Sequence, residues 1–145
     1  MKKTILAAVL FFTVFLSNSC TGSGDEITNN NKIRLVVDGL SKNFSVVSVN
    51  TTNPETITLF GQINGSLLET VEIIVYKNVT GNSAIPNIIF TQNDIIFYSD
   101  IGSNVSTNVS ANGTDRKLKG SFQGTFRSLS NGSKIVSNGS FNVSY

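Results

Sequence analysis

The chain is 145 residues long, with 11 Lys+Arg, 9 Asp+Glu, one Cys and neither His nor Trp. Without imidazole there is no Ser-His-Asp triad, no thiol–imidazole pair and no His-ligated zinc or copper, and a lone Cys permits no internal disulfide. The densest basic cluster is Arg116, Lys117 and Lys119. It reads as the solvated end of a strand, too small to neutralise a run of phosphates, so nucleic acid is not an expected partner.

The first element is a targeting segment. Lys2 and Lys3 form a basic n-region, residues 5–16 are apolar or small, and Ser17 and Ser19 bracket a cleavage point before Cys20. This is a secretory signal over residues 1–19, too short to cross a bilayer comfortably. A lone Cys at that junction is what a bacterial lipoprotein offers for acylation. Cys20 is therefore the expected lipid attachment site, and a membrane the expected partner through that lipid. A lipobox usually carries Leu where Ser17 stands, and Ser17-x-Ser19 also fits ordinary signal cleavage, which would leave Cys20 unmodified. The expected address is the bacterial cell envelope, anchored in the outer membrane on its periplasmic or surface face.

Loss of Lys2 and Lys3 with the signal leaves nine basic and nine acidic groups. Residues 20–31, the Cys followed by TGSGDEITNNN, are small and polar and read as a tether. Residues 32–145 then form one β domain whose stability rests on its core.

Beyond Lys32 the pattern is β throughout, with Val, Ile, Phe and Thr alternating with polar residues and Asn, Gly and Ser punctuating every eight to a dozen. Strands are expected at 33–37, 44–49, 56–62, 70–76, 94–99, 104–111, 117–127 and 134–145. Asn64-Gly65 marks a hairpin. The Ile85-Pro86 step reduces 88–90 to a short edge segment. In 117–127, Leu118, Gly120, Phe122, Gly124 and Phe126 share one face. Its partner, 134–145, aligns Ile135, Phe141, Val143 and Tyr145, with Asn131-Gly132 as the turn and a bulge at Asn138-Gly139. About eight strands joined by short turns predict an antiparallel β-sandwich or a partly open meander barrel.

The run from Gly120 to Tyr145 resembles the closing hairpin of small, uncharacterised lipoprotein β domains from Bacteroidota. The matching positions are Gly120, Phe122, Gly124 and Phe126, then Ile135, Asn138, Gly139 and Phe141, with Val37-Asp38-Gly39 matching an early turn. Those domains often carry a Trp after that turn and a Gly-Thr-Tyr step mid-chain; this chain has neither. The resemblance implies fold and address and brings no catalytic residue with it.

Carboxylates are the remaining acid–base groups. Glu69 and Glu72 differ by an odd number and fall on opposite strand faces, while Asp94 and Asp100 sit at opposite ends of one strand. Neither makes a glycosidase pair. Calcium could draw on Asn93-Asp94 and residues 112–115, although no EF-hand-like loop is present. The ten N-x-[S/T] matches (Asn43, Asn50, Asn64, Asn78, Asn104, Asn108, Asn112, Asn131, Asn138 and Asn142) follow from a composition rich in Asn, Ser and Thr. The expected function is therefore non-enzymatic: a lipid-anchored envelope β domain with a structural or binding role and no cofactor or metal. The alternative is a module for glycan or small hydrophobic ligands, using Tyr76, Tyr98 and Tyr145 on an exposed face or a cavity lined by Phe90, Phe97 and Tyr98. An envelope protein or glycan is the corresponding partner.

Overall fold

The computed structural model describes residues 31–145 except Thr114 and Asn131. The expected signal segment, Cys20 and the expected tether up to residue 30 lie outside the described residues, as does the Asn131 half of the expected Asn131-Gly132 turn. Eight antiparallel strands run in sequence order: β1 (Lys32–Val37), β2 (Leu40–Asn50), β3 (Thr56–Ile63), β4 (Ser66–Tyr76), β5 (Asn87–Gln92), β6 (Ile95–Asn112), β7 (Lys117–Arg127) and β8 (Ser133–Ser144). Each pairs with its neighbours, and β1 pairs with β8 to close a barrel. Of the two architectures expected, the barrel is the one formed, and it is closed rather than partly open. Among the described residues, every strand and every core side chain belongs to this one barrel.

Four hairpins gather at one end, and three of them are tight because their turn residues accept positive φ at low cost. Asp38-Gly39, Asn64-Gly65 and Asn93-Asp94 all have φ between 48° and 83°. The β7–β8 turn is closed by Ser128 N–H donating to the Gly132 carbonyl at 2.8 Å. This is the turn end. The opposite end, the terminal end, gathers the start of β1, the end of β8 and the longer connections. There residues 77–86 fold across the opening and bury Ala84 and Ile85. That connection also completes the wall where β5 is too short, through the Gly81–Val109 bridge and Thr107 Oγ1 donating to the Asn82 carbonyl.

Alternating residues fill the interior. Ile33 and Leu35 from β1, Phe44 from β2, Ile57 and Leu59 from β3, Val71 and Ile73 from β4, and Ile88 and Phe90 from β5 are all at most 2% exposed. Phe44 meets Phe90 edge-on at 6.3 Å, and Phe90 stacks on Phe97 at 6.1 Å. Two cross-strand pairs lock the closing hairpin, Gly120 opposite Phe141 and Phe122 opposite Gly139. A Cβ on Gly139 would stand 2.5 Å from the Phe122 ring, and one on Gly120 2.5 Å from the tip of Phe141. The glycines are sockets for the rings, which explains the Gly–Phe alternation of β7.

Four expectations need correction. The 88–90 segment is part of a full strand, because closure gives β5 a partner on each side, and Pro86 stands just before it. The runs 94–99 and 104–111 are one strand, β6, whose extra residues are absorbed by register shifts against β7 around Gly102 and Asn104. A Cβ at Gly102 would collide with the Thr125 carbonyl oxygen, so the detour requires Gly. The bulge expected at Asn138-Gly139 is present, with Asn138 at φ 50° and a shift between Phe122 and Gly124. It reverses the strand's parity, so Val136 enters the core and Ile135 points out, 63% exposed. Lastly, Asn31 belongs to the barrel: its side chain donates to the Ser144 carbonyl and accepts from the Ser144 N–H.

Candidate functional site

Buried hydrophobic side chains fill the interior of the described barrel, and the polar groups that could do chemistry lie at the two mouths and on the outer wall. At the turn end, the last inward-facing positions are polar. Lys42 bonds both carboxylate oxygens of Glu69 at 2.8 Å, and Gln92 donates to the same carboxylate at 2.8 Å. Beside them Lys134 bonds Asp38 at 2.8 Å and lies 5.8 Å from the Phe97 ring centroid. The Ile135 N–H also donates to Asp38. This cluster closes the mouth over Phe90 and Phe97. Lys42 holds the Glu69 carboxyl below its ordinary pKa, and Lys134 does the same for Asp38, in each case chiefly by hydrogen bonding.

A depressed carboxyl stabilises the fold while ionised and ceases to do so when protonated. The contributions of Glu69 and Asp38 are therefore full at neutral pH and fade as pH falls below about 4. Urea denaturation across pH 2–7 should show the acid loss of stability flattened in Glu69→Gln relative to the parent chain. An unchanged acid limb would show that the pair adds nothing.

Around this mouth stands a rim of aliphatic side chains. Of ten large hydrophobic residues exposed in the described residues, seven lie on the four turn-end hairpins: Leu40, Leu67, Leu68, Ile95, Ile96, Leu129 and Ile135. Every hairpin contributes at least one. The exceptions are Val47, Tyr76 and Ile101. Ile95, Ile96 and Leu129 edge a shallow depression of about 260 Å³ with Tyr98 on its wall. Monomeric proteins seldom expose contiguous apolar patches beyond a few hundred Å² unless they bind something.

The strands are divided by charge, and so is the outer wall once the inward-facing Lys42, Glu69 and Lys134 are set aside. β1, β2, β7 and β8, which adjoin one another across the closure, contain Lys32, Arg34, Lys42, Lys117, Lys119, Arg127 and Lys134 and no Asp or Glu. β3 to β6 contain Glu69, Glu72 and Asp100 and no Lys or Arg. Register places Lys32, Asn142 and Lys119 in one row across β1, β8 and β7, with Arg34, Ser140 and Ser121 in the next. The Arg116–Lys117–Lys119 cluster expected as a solvated strand end is thus joined by two residues from the far end of the sequence.

The remaining sequence-predicted residues are not brought together. Phe90 and Phe97 are core, whereas Tyr98 lies on the outer face, so the three line no common cavity. Tyr76 is at the terminal end and Tyr98 near the turn end; Tyr145 lies against Arg116, whose guanidinium is 5.9 Å from its ring centroid. Glu69 and Glu72 do point to opposite faces, and Asp94 lies in a turn apart from Asp100 on β6. Asn112 donates to the carbonyls of Tyr76 and Val79, a structural amide pinning the 77–86 connection rather than a free cation ligand. Among the described residues no three His, Cys, Asp or Glu cluster as a metal site. Asn64, Asn78, Asn104 and Asn138 sit at positive φ, so turn and bulge chemistry accounts for several of the N-x-[S/T] matches.

Fold and surface define a small, filled, eight-stranded meander barrel with a polar-plugged mouth, an aliphatic rim and a charge-divided wall. No family model matches the chain, and neither a curated protein nor a solved structure matches it.

Proposed function

We propose that this chain is a non-enzymatic, lipid-anchored barrel of the bacterial envelope that works by binding through its outer surface. The observation that carries the binding role is the aliphatic rim. The core is fully packed, yet all four hairpins at the end farthest from the tether hold Leu or Ile in water. Holding those side chains partly in water forgoes a share of the roughly 1.5–3 kcal/mol that full burial of each would contribute, which favours a role in association. The anchor reading rests on the signal segment, the lone Cys20 after it, and the resemblance to Bacteroidota lipoprotein domains.

Two experiments test the reading. Cys20→Ala should abolish incorporation of labelled palmitate and leave the precursor unprocessed; unchanged labelling and processing would refute the anchor. A photo-crosslinking residue at Leu67 or Leu129, in cells of the native host, should capture a discrete partner that the same probe at Val47 does not. Identical products from the rim and from Val47 would refute a rim-specific role. The second reading, a glycan or small hydrophobic ligand, is favoured only by the depression beside Tyr98. It requires a thermal shift with such a ligand that Tyr98→Ala removes.

A further inference from the structure

We infer that the wall formed by β7, β8, β1 and β2 is a docking surface for an anionic phospholipid bilayer, set beside the point where the tether leaves the barrel. Three observations converge on it. The first is charge complementarity: these strands hold only cations, although the chain's formal net charge is only +2. Lys42 and Lys134 are spent on Glu69 and Asp38. Lys32, Arg34, Lys117 and Lys119 instead point outward and are exposed.

The second is shape. Lys32, Arg34 and Lys119 surround a depression of about 320 Å³ with Ser140 and Asn142 between them and Gly120 in its lining. Lys32 and Lys119 are two strands apart, roughly 10 Å. Hydroxyl and amide groups lie between them to bond phosphate oxygens, as headgroup recognition requires.

The third is where the chain outside the structure ends. Asn31 is fixed to Ser144 at the start of β1, so the tether departs from the edge of this patch. From Cys20 to Lys32 the chain can span at most about 40 Å. A lipid on Cys20 would hold the patch within reach of headgroups at high effective concentration. The aliphatic rim sits at the other end of the barrel and remains free for the binding role. The biological setting rests on the anchored reading; the surface chemistry does not.

The test therefore uses unacylated protein, residues 20–145 with Cys20→Ser. Sedimentation with vesicles of phosphatidylcholine containing 30% phosphatidylglycerol should show binding at low salt, fading as salt shortens the reach of the charges. Pure phosphatidylcholine vesicles should not bind it. Each Lys or Arg near an anionic surface is worth about fivefold in partition, so Lys32→Gln/Arg34→Gln/Lys119→Gln should weaken binding about a hundredfold. Lys77→Gln, outside the patch, should leave it unchanged. All four side chains are at the surface, so unchanged melting temperatures establish that the variants are folded. Equal binding to neutral vesicles would assign membrane contact to the rim and overturn the proposal, as would full binding by the triple variant or none by the parent. Displacement by millimolar inorganic phosphate at constant ionic strength would also overturn it, assigning the patch to a soluble anion. Loss of palmitate labelling bears on Cys20 alone, so the two readings fail separately.

Discussion

Phe141→Ala should cost about 3–5 kcal/mol, through lost burial and the cavity left between Gly120 and Ile33. Phe141 is 2% exposed, lies opposite Ile33 on β1 and Gly120 on β7, and so bridges the seam that closes the barrel. Phe122→Ala should cost a similar amount, since its ring fills the socket at Gly139 and stacks near Phe126 at 6.4 Å. Against a total stability of about 5–15 kcal/mol, either loss lowers the urea midpoint severely or prevents folding. Gln123→Ala, on the outer face of the same strand, should stay within about 0.5 kcal/mol. Similar midpoints for Phe141→Ala and Gln123→Ala would contradict the assigned faces.

Truncation after Asn138 should have a larger effect. It removes Phe141 and Val143 from the core and deletes the pairs Lys32–Asn142, Ile33–Phe141 and Arg34–Ser140. β7 and β1 each lose the terminal-end half of their shared partner, exposing two unpaired stretches of strand edge. The truncated chain should show no cooperative thermal transition. Melting close to the parent temperature would mean that β8 does not close the barrel.

The closing hairpin is legible in the sequence because its signals agree: period-2 alternation in β7, Gly–Phe spacing, and Asn-Gly at the bulge. Even there one consequence escaped. A bulge inverts the parity of everything before it, so the same Asn138 that signalled the bulge also turned Ile135 outward. β5 was obscured because a short apolar run after Pro86 reads as an edge, and only closure supplies its second neighbour. β6 looked like two strands because its detour around Gly102 resembles a loop.

The two surfaces were less legible for a physical reason. Residues such as Leu40 and Ile95 keep the inward parity of their strands, so the pattern marks them as core; only their place at the turn end leaves them in water. The charge division is hidden because the net balance is near zero. Lys32 and Arg34 are also more than eighty residues from Lys117 and Lys119 and meet them only across β8. Cys20 rests on the sequence alone, as a single thiol after an expected signal segment, and lies outside the described residues.

The central claim is that Cys20 carries the lipid that places this barrel at a membrane. Intact mass spectrometry of the mature protein, purified from its native host in detergent, tests it most directly. The expected product is a chain beginning at Cys20 with the added mass of a diacylglyceryl group on its thiol. A chain beginning at Cys20 with an unmodified thiol, or beginning elsewhere, would contradict it.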